Sequence, residues 1–337
     1  MRAAVIYDAG SEDWSPQDVA AVLSNVHEVR ASLRRRDVEV GLVPVRLGGF
    51  HWLSRARRAD VIVNLCEGIN GHARFEDYVV NTLELTGLPF TGCRAWPVSV
   101  CHRKHVANTL LANAGVPVPA FVLAQGANRI PADFPLPAIV KPAAEDASVG
   151  IDASAVCTSR KALRKRVAQM TEQFDEVLVQ AYVAGREFNA GFIGKQALPL
   201  AEIRFDAMPA GSWPIVTYAA KWSSGSLDDL GTMPVCPAEV PAELGRRIVQ
   251  TAWRAWELLC DAQGYGRVDL RLSADGEPYV LEVNPCPDLS SGAGLARMAH
   301  AAGWTYDDLV HAIVDEALER SRSARFAAAL ASGVPAA

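Results

Sequence analysis

The hydrophobic pattern of the first hundred residues switches between two periods. Residues 3–7 form a continuous apolar run of strand length. The next segment, SPQDVAAVLSNVHEVRASLRRRD, spaces Val19, Val22, Leu23, Val26, Val29 and Leu33 three or four residues apart, the stripe of an amphipathic helix. Ser15 suits its N-cap and Pro16 its first turn. VEVGLVPV and DVIVNLC read as a second and a third strand, and a helix near 75–86 closes at Gly87. Strands alternating with helices predict a small parallel sheet with helical cover.

Further on, KHVANTLLANAGVPVPAF predicts a helix stopped by Gly115 and an extended, Pro-containing exit. LPAIVKPA and EVLVQAYV read as strands around an amphipathic helix, SRKALRKRVAQMTEQF. A long helix near 242–262, a strand hairpin at 267–284 and two closing helices complete the pattern. The expected organisation is mixed α/β and α+β: an N-terminal parallel-sheet domain at 1–97, a central α+β lobe at 98–183, a C-terminal α+β lobe at 184–318 and an Ala-rich tail at 319–337 that frays.

Composition narrows the class. Half of the 337 residues are hydrophobic and 21% are charged, with a net charge of −5, enough for several cores and unsuited to nucleic acid or an anionic membrane as main partner. No stretch approaches the roughly 20 apolar residues of a membrane span, and MRAAVIYDAG reads as a first strand instead of a signal peptide. The seven cysteines are odd in number and lack a CxxC pair, as expected of reduced thiols in a cytoplasm.

The hairpin RVDLRLSADGEPYVLEVN carries the first chemistry. Asp275-Gly276 suits a two-residue turn. Residues then pair when their numbers add to 551 (an expectation of that turn type, about a twofold period of side chains), so Asp269 faces Glu282 and Arg267 faces Asn284. Leu270, Leu272, Leu281 and Val283 share the core face; Arg267, Asp269, Arg271, Val280, Glu282 and Asn284 share the other. Two facing carboxylates repel unless neutralised. Two readings fit: Arg267 and Arg271 supply the neutralisation, or a hard cation such as Mg²⁺ takes the oxygens of Asp269, Glu282 and Asn284.

Other polar residues stand where a nucleotide site needs them. Lys141 ends an apolar strand before a small-residue loop reaching Gly150, an arrangement suited to polyphosphate and equally that of a solvated strand-end lysine. Glu187 opens a strand after AGR and suits two ribose hydroxyls, or a plain pairing with Arg186. Gln180 or the Val183 backbone suits a base. Lys221 lies in YAAKWSSGSLDD, a Gly/Ser/Asp-rich loop with the composition of a lid; Lys104 lies in CHRKHV. His102 and His105 read as ordinary helix-start residues.

Six segments in order, NTLELTGLPFTG, KHVANTLLANAGVPVPAF, IVKPAAEDASVGI, VQAYVAGREFNAGFIG, GYGRVDL and VLEVNPCPDLS, resemble the ATP-grasp superfamily, and within it the D-alanine–D-alanine ligase-like carboxylate–amine ligases, over about residues 60–318. The resemblance implies an ATP-grasp fold with a pre-ATP-grasp N-terminal domain, and an ADP-forming ligase that uses ATP and Mg²⁺ or Mn²⁺. It implies phosphate contacts from Lys104, Lys141 and Ser148, a nucleoside site at Gln180, Tyr182, Val183 and Glu187, and a γ-phosphate contact from Lys221. Asp269, Glu282 and Asn284 would be metal ligands and Arg267 would steady the tetrahedral intermediate. Small carboxylate and amine substrates, a homodimer and a cytoplasmic location are the accompanying expectations.

The departures lie on the substrate side. The family's Gly-Ser-Ser stretch reads Asp146-Ala147-Ser148, the aromatic hydroxyl after the lid lysine is Trp222, and HGxxGEDG becomes NLCEGINGHARFED. NPCPDLSSGAG replaces a Pro-Gly-Met-Thr run. The expectation is a preserved ATP site and rebuilt amino-acid pockets, with Glu12, Glu67, Arg74, Trp222 and Asp288 facing a substrate other than D-alanine. Arg74 would clamp its carboxylate, and Glu67 or Glu12 its ammonium; exposed Arg74 and Glu76 forming a helix-start charge pair is the competing reading.

Overall fold

A computed structural model of the chain describes residues 1–11, 14–126 and 130–332. The N-terminal segment is the predicted parallel sheet. Strands β1 (Arg2–Asp8), β2 (Glu39–Val45) and β3 (Val61–Leu65) lie in the order β2-β1-β3, with both pairings parallel. Parallel neighbours require crossovers, here α1 (Pro16–Arg34) and α2 (His51–Ala56), before α3 (Glu76–Glu84) follows β3. The α1 stripe works as its spacing predicts: Val26, Val29 and Leu33 are buried against Val5 and Val63 of the sheet.

Helices α4 (Ala95–His102) and α5 (Lys104–Asn113) lead into the second sheet. A domain boundary at 97/98 falls inside α4, because Pro97 sits in that helix's first turn, where a missing N–H costs no hydrogen bond. The second sheet is antiparallel, in the order β4-β7-β5-β6, with β4 (Phe121–Ala124), β5 (Ala138–Pro142), β6 (Val156–Cys157) and β7 (Val177–Ala181). Helix α6 (Arg160–Thr171), capped by the Ser159 hydroxyl, covers one face through Leu163, Val167 and Met170 against Val140 and Val179. Alternation then places Lys141 and Gln180 on the uncovered face.

The third sheet runs β11-β10-β8-β12-β13, with β9 pairing beside β8. Its members are β8 (Glu187–Ile193), β9 (Gln196–Ala197), β10 (Ala201–Arg204), β11 (Met233–Val235), β12 (Tyr265–Leu272) and β13 (Pro278–Asn284). Two short helices, α7 (Tyr218–Trp222) and α8 (Leu227–Gly231), interrupt the 205–232 loop. The long α9 (Ala242–Cys260) buries Trp256 against Phe192, ring stacked on ring with centroids 5.8 Å apart. Gly266 makes this possible: a Cβ there would stand 2.3 Å from the Trp256 ring.

The chain closes with α10 (Gly294–Ala301) and α11 (Tyr306–Ser332). The segment expected to fray, 319–337, is helical as far as the described residues extend. Helix α11 continues to Ser332, as an Ala-rich stretch with high helix propensity can, and Arg320 within it donates to the carbonyls of Gly92 at 2.9 Å and Phe90 at 2.6 Å. Among the described residues no helix is long and apolar enough to cross a membrane, and all seven cysteines are free thiols.

The hairpin needs a finer correction. Asp269 pairs with Glu282 and Arg267 with Asn284, as the sequence predicts, but by two offsetting departures. The loop is one residue longer than a two-residue turn: Ser273 N–H donates to Glu277 O at 2.9 Å, and Gly276 takes the left-handed φ of 75°. Below it Leu270 pairs with Val280 and Leu272 with Pro278; a bulge between Asp269 and Leu270 then restores the register. Val280 is therefore buried in the core beside Leu270 and Leu272, and Leu281 is the half-exposed extra residue. The face exchange of these two follows from the period of two.

Candidate active site

The second and third sheets face each other across a polar cavity of about 70 Å³ lined by Lys104, Lys141, Ser148, Lys221, Arg267, Glu282 and Asn284, together with the 145–151 loop. The lining residues arrive from different elements. Lys104 starts α5, Lys141 lies near the end of β5, Lys221 stands on α7, and Arg267, Glu282 and Asn284 come from the hairpin.

The charges are partly matched. Arg267 grips Asp269 with two hydrogen bonds, at 2.7 and 2.9 Å, and Asn189 adds a third at 2.7 Å. Lys104, only 5% exposed, meets Glu282 at 2.9 Å and Asp146 at 2.7 Å, and donates to Glu145 O at 2.6 Å. Burial works against the Lys104 charge, and the Glu282 and Asp146 carboxylates more than restore it, so its ammonium is held above its usual range. No hydrogen bond or ion pair engages the ammonium of Lys141 or Lys221 among the described residues. Burial pushes Lys141 down to about 8, with Lys104 adding to the fall and Glu282 opposing it. Lys221 is also lowered, by burial and then by Arg267. A buried, unmatched ammonium at Lys141 beside a second unmatched one on the more exposed Lys221 is an unfavourable arrangement that an incoming polyanion relieves.

The 145–151 loop has the form of an anion cradle. Ala147 and Ser148 both take left-handed φ, 55° and 61°, a conformation that costs roughly 1–2 kcal/mol per non-glycine residue. The lid holds the loop there: Trp222 Nε1 donates to Ala147 O at 3.1 Å, and the Ser148 hydroxyl donates to Val216 O at 3.0 Å. Trp222 thus packs its polar edge on the 145–151 loop, with 59% of the residue exposed to water.

His102 is the residue that sequence reasoning missed. It does not start a helix; it ends α4, while Lys104 and His105 open α5. Its Nε2 lies 2.7 Å from Glu76 and 3.6 Å from Asp146. Burial lowers its affinity for a proton, but the two carboxylates win and raise it to about 9. The result is an alternating row of charges, Glu76, His102, Asp146, Lys104 and Glu282, from α3 to the hairpin. Only the contrast between Asp146 and the family's small residue hinted at it. Glu76 is thereby buried, neither pairing with Arg74 nor exposed.

The remaining expected residues divide. Gln180 is buried on the cavity-side face of β7 and its amide nitrogen has no hydrogen-bond partner among the described residues. Glu187 pairs with Arg271 at 2.8 Å instead of with Arg186, which binds Glu202. Tyr182 lies edge-on to Trp213, and Val183 presents its carbonyl to Arg271 at 2.9 Å. Glu67 follows the end of β3, reachable by water yet walled by protein; burial, then Asp288 and Glu76, push its carboxyl up to about 8. Asp288 is exposed and accepts from Ser290 N at 2.8 Å. Arg74 is a correction: it is exposed, its guanidinium 4.9 Å over the ring of its neighbour Phe75, because the short 3₁₀ turn Ala73–Phe75 carries it outward. Glu12 lies outside the described residues.

The fit to a divalent cation rests on donor chemistry. Glu282 and Asn284 line the cavity with hard oxygens, and Asp269 faces Glu282 across the strand pair. Among the described residues no group of three or more His, Cys, Asp or Glu forms a self-sufficient cage. Two carboxylates and an amide that need further oxygens from a substrate match the usual demand of Mg²⁺.

Comparisons with known proteins identify the family and the fold. The family model for the D-ala D-ala ligase C-terminus matches residues 110–315. An uncharacterised protein of Sinorhizobium fredii is 32% identical over 79% of this chain and 76% of its own length. The D-alanine–D-alanine ligase of Bordetella petrii is 34% identical over 73% of this chain and 74% of its own. The crystal structure of the Bacillus anthracis D-alanine–D-alanine ligase complexed with ATP superposes with a TM-score of 0.74 at 23% identity, covering 96% of this chain and 99% of that one. The VanG D-Ala:D-Ser ligase of Enterococcus faecalis gives 0.73 at 20% identity, covering 94% and 99%. With a family match across more than half of its length and the ATP-grasp fold in its neighbours, the chain belongs to the D-alanine–D-alanine ligase-like family of ATP-grasp carboxylate–amine ligases.

Proposed function

We propose that the protein joins a small carboxylate to an amine, using ATP and passing through an acyl phosphate, and that its substrate pair differs from two D-alanines. The observation that carries the chemistry is the pair of unmatched ammoniums, Lys141 and Lys221, beside Arg267, Glu282 and Asn284 in one cavity.

In the first step a substrate carboxylate oxygen attacks the γ-phosphorus and the bond to the β–γ bridging oxygen breaks, leaving ADP. Lys104, Lys141 and the 145–151 backbone hold the phosphates, and Lys221 follows the transferring group. In the second step the amine nitrogen attacks the acyl carbon, the C–O bond to phosphate breaks, and the proton lost from the nitrogen leaves with the phosphate. Arg267 would donate to the developing oxyanion, a role suggested by its place in the cavity lining; such a group typically contributes 10²–10³ in rate. Asp269, Glu282 and Asn284 would hold Mg²⁺ or Mn²⁺, which would supply charge neutralisation on the phosphates. The hydrogen bonds of Trp222 to Ala147 and of Ser148 to Val216 tie the lid to the 145–151 loop beside the cavity.

The substrate assignment rests on Asp146, Trp222 and the 64–77 loop. The enzyme is assayed for ADP release over pairs of D- and L-amino acids with product masses recorded, with and without chelator. An amide product other than D-Ala-D-Ala, dependent on divalent cation, is the expected result. D-Ala-D-Ala as the sole product would instead favour the activity named for the Bordetella relatives. ADP release with no amide from any pair would overturn the ligase reading.

A further inference from the structure

The nucleoside end of the cleft already contains a planar, cationic group. Arg271 is 3% exposed. Its Nε donates to Glu187 at 2.8 Å, one terminal nitrogen donates to Val183 O at 2.9 Å, and the other donates to Pro214 O. The guanidinium lies 5.1 Å from the centroid of the Tyr182 ring and 5.4 Å from that of Phe205. Register fixes it there, because Arg271 pairs directly with Glu187 across β12 and β8. On β7, two residues before Tyr182, the Gln180 amide nitrogen is buried, on a residue 1% exposed, with no hydrogen bond among the described residues.

This is what a bound purine would do. A flat group against aromatic rings, N–H donors to a backbone carbonyl and a contact to the first carboxylate of the following strand describe a base and its ribose equally well. Val183 O and Glu187 can each accept a further donor, so the conflict is one of space: the guanidinium fixed against Tyr182 and Phe205 takes the place a flat base would need to reach the same acceptors. We infer that Arg271 is an internal occupant of the nucleoside pocket, and that nucleotide binds by displacing its guanidinium from Val183 O and Glu187. The inference rests on the reading of the cleft as an ATP site. Arg271 is then an affinity-determining residue: the apparent dissociation constant is the intrinsic one divided by the fraction of molecules with the guanidinium withdrawn. A tenth of the molecules withdrawn gives a tenfold weaker constant.

Titration calorimetry of the full chain with ATP and, separately, with inorganic tripolyphosphate tests this. Arg271→Met keeps a long unbranched side chain and removes every donor. The expected result is ATP binding at least tenfold tighter than in the unsubstituted protein, with tripolyphosphate affinity unchanged, because tripolyphosphate reaches only the phosphate end. ATP affinity equal to or weaker than that of the unsubstituted protein would overturn the inference while leaving the ATP site intact. Absence of ATP binding in both proteins would remove the nucleotide reading itself and the inference with it. Arg271→Met strips Glu187 of its partner and stands to lose stability, so Arg271→Lys is measured alongside. It keeps a charge near Glu187 but cannot bridge three acceptors, and it carries the same expectation at smaller size if the methionine variant fails to fold.

Discussion

The two ends of the cleft differ in how they are built. At the phosphate end, lysines and the hairpin residues converge from several elements on a cavity of about 70 Å³. At the opposite end, beside Glu67, the space among Asn25, Asn64, Cys66, Tyr265 and Cys286 is about 10 Å³, room for about one water. The first end is held by strand register and buried ion pairs. The second is held by a loop whose main anchor is Asp8, which accepts from Gly10, Asn70 and Gly71 backbone N–H groups at 2.8–2.9 Å. On the function proposed above, the shared chemistry would sit on the part held by strand register and the choice of substrate on a loop that can be remade without disturbing the sheets.

The sharpest way to break this contrast is Arg267→Ala. Turnover should fall by about 10²–10³, while the secondary structure seen by circular dichroism stays. A loss below tenfold would take Arg267 out of the reacting centre. Next in size is the pH response of Lys141. With its ammonium titrating at about 8 in the nucleotide-free protein, tripolyphosphate affinity should weaken above pH 8, by about tenfold per pH unit at most. Calorimetry in two buffers of different ionisation enthalpy should record proton uptake on binding near pH 9. The unliganded protein behaves oppositely: between pH 8 and the usual lysine range the unfolded chain keeps a proton that the folded chain has released, so this group's contribution to stability rises with pH. No proton uptake would mean that Lys141 keeps its charge.

On the substrate side the effects should be smaller and unequal. Glu67→Gln should lower kcat/KM severalfold for a substrate bearing an ammonium, whereas Arg74→Ala, whose side chain faces outward over Phe75, should change it less than about twofold, about 0.4 kcal/mol. A tenfold loss in Arg74→Ala would bring that arginine back to the pocket and show that the loop moves on binding. Smallest of all, Ala147→Gly should relieve a left-handed φ and raise the melting temperature by about 1–2 °C, for a gain below about 1 kcal/mol.

Much of the phosphate end was legible because strands and lysines at strand ends carry positional information. A period of two told which residues shared a face with Asp269, and the βαβ alternation told where β3 ends. His102 was not legible. Its partners Glu76 and Asp146 are remote in the chain, and no spacing rule links a helix end to two distant carboxylates. Arg271 was placed on the right face with the wrong partner. Sequence pointed it at the hairpin carboxylates, whereas β8 brings Glu187 alongside and decides otherwise. Val280 and Leu281 were exchanged because a bulge leaves no mark in an apolar run. The outward direction of Arg74 was set by one short 3₁₀ turn, Ala73–Phe75, which leaves no periodic mark in the sequence.

The bulge gives β13 one residue to spare, and that separates two kinds of genetic change. Deleting Leu281 irons the bulge out and leaves Val280 opposite Leu270 and Glu282 opposite Asp269; deleting Val280 lets Leu281 take the same core position. Strand β12 has no such reserve, because it is paired on both sides, with β8 as well as β13. Losing Val268 or Leu270 turns every side chain on one side of the cut to the opposite face and moves Arg271 off Glu187 or Arg267 off Asn284. A library of single-codon deletions across the hairpin should therefore be lopsided: folded, active product from deletions at Val280 or Leu281, and none from deletions at Val268 or Leu270.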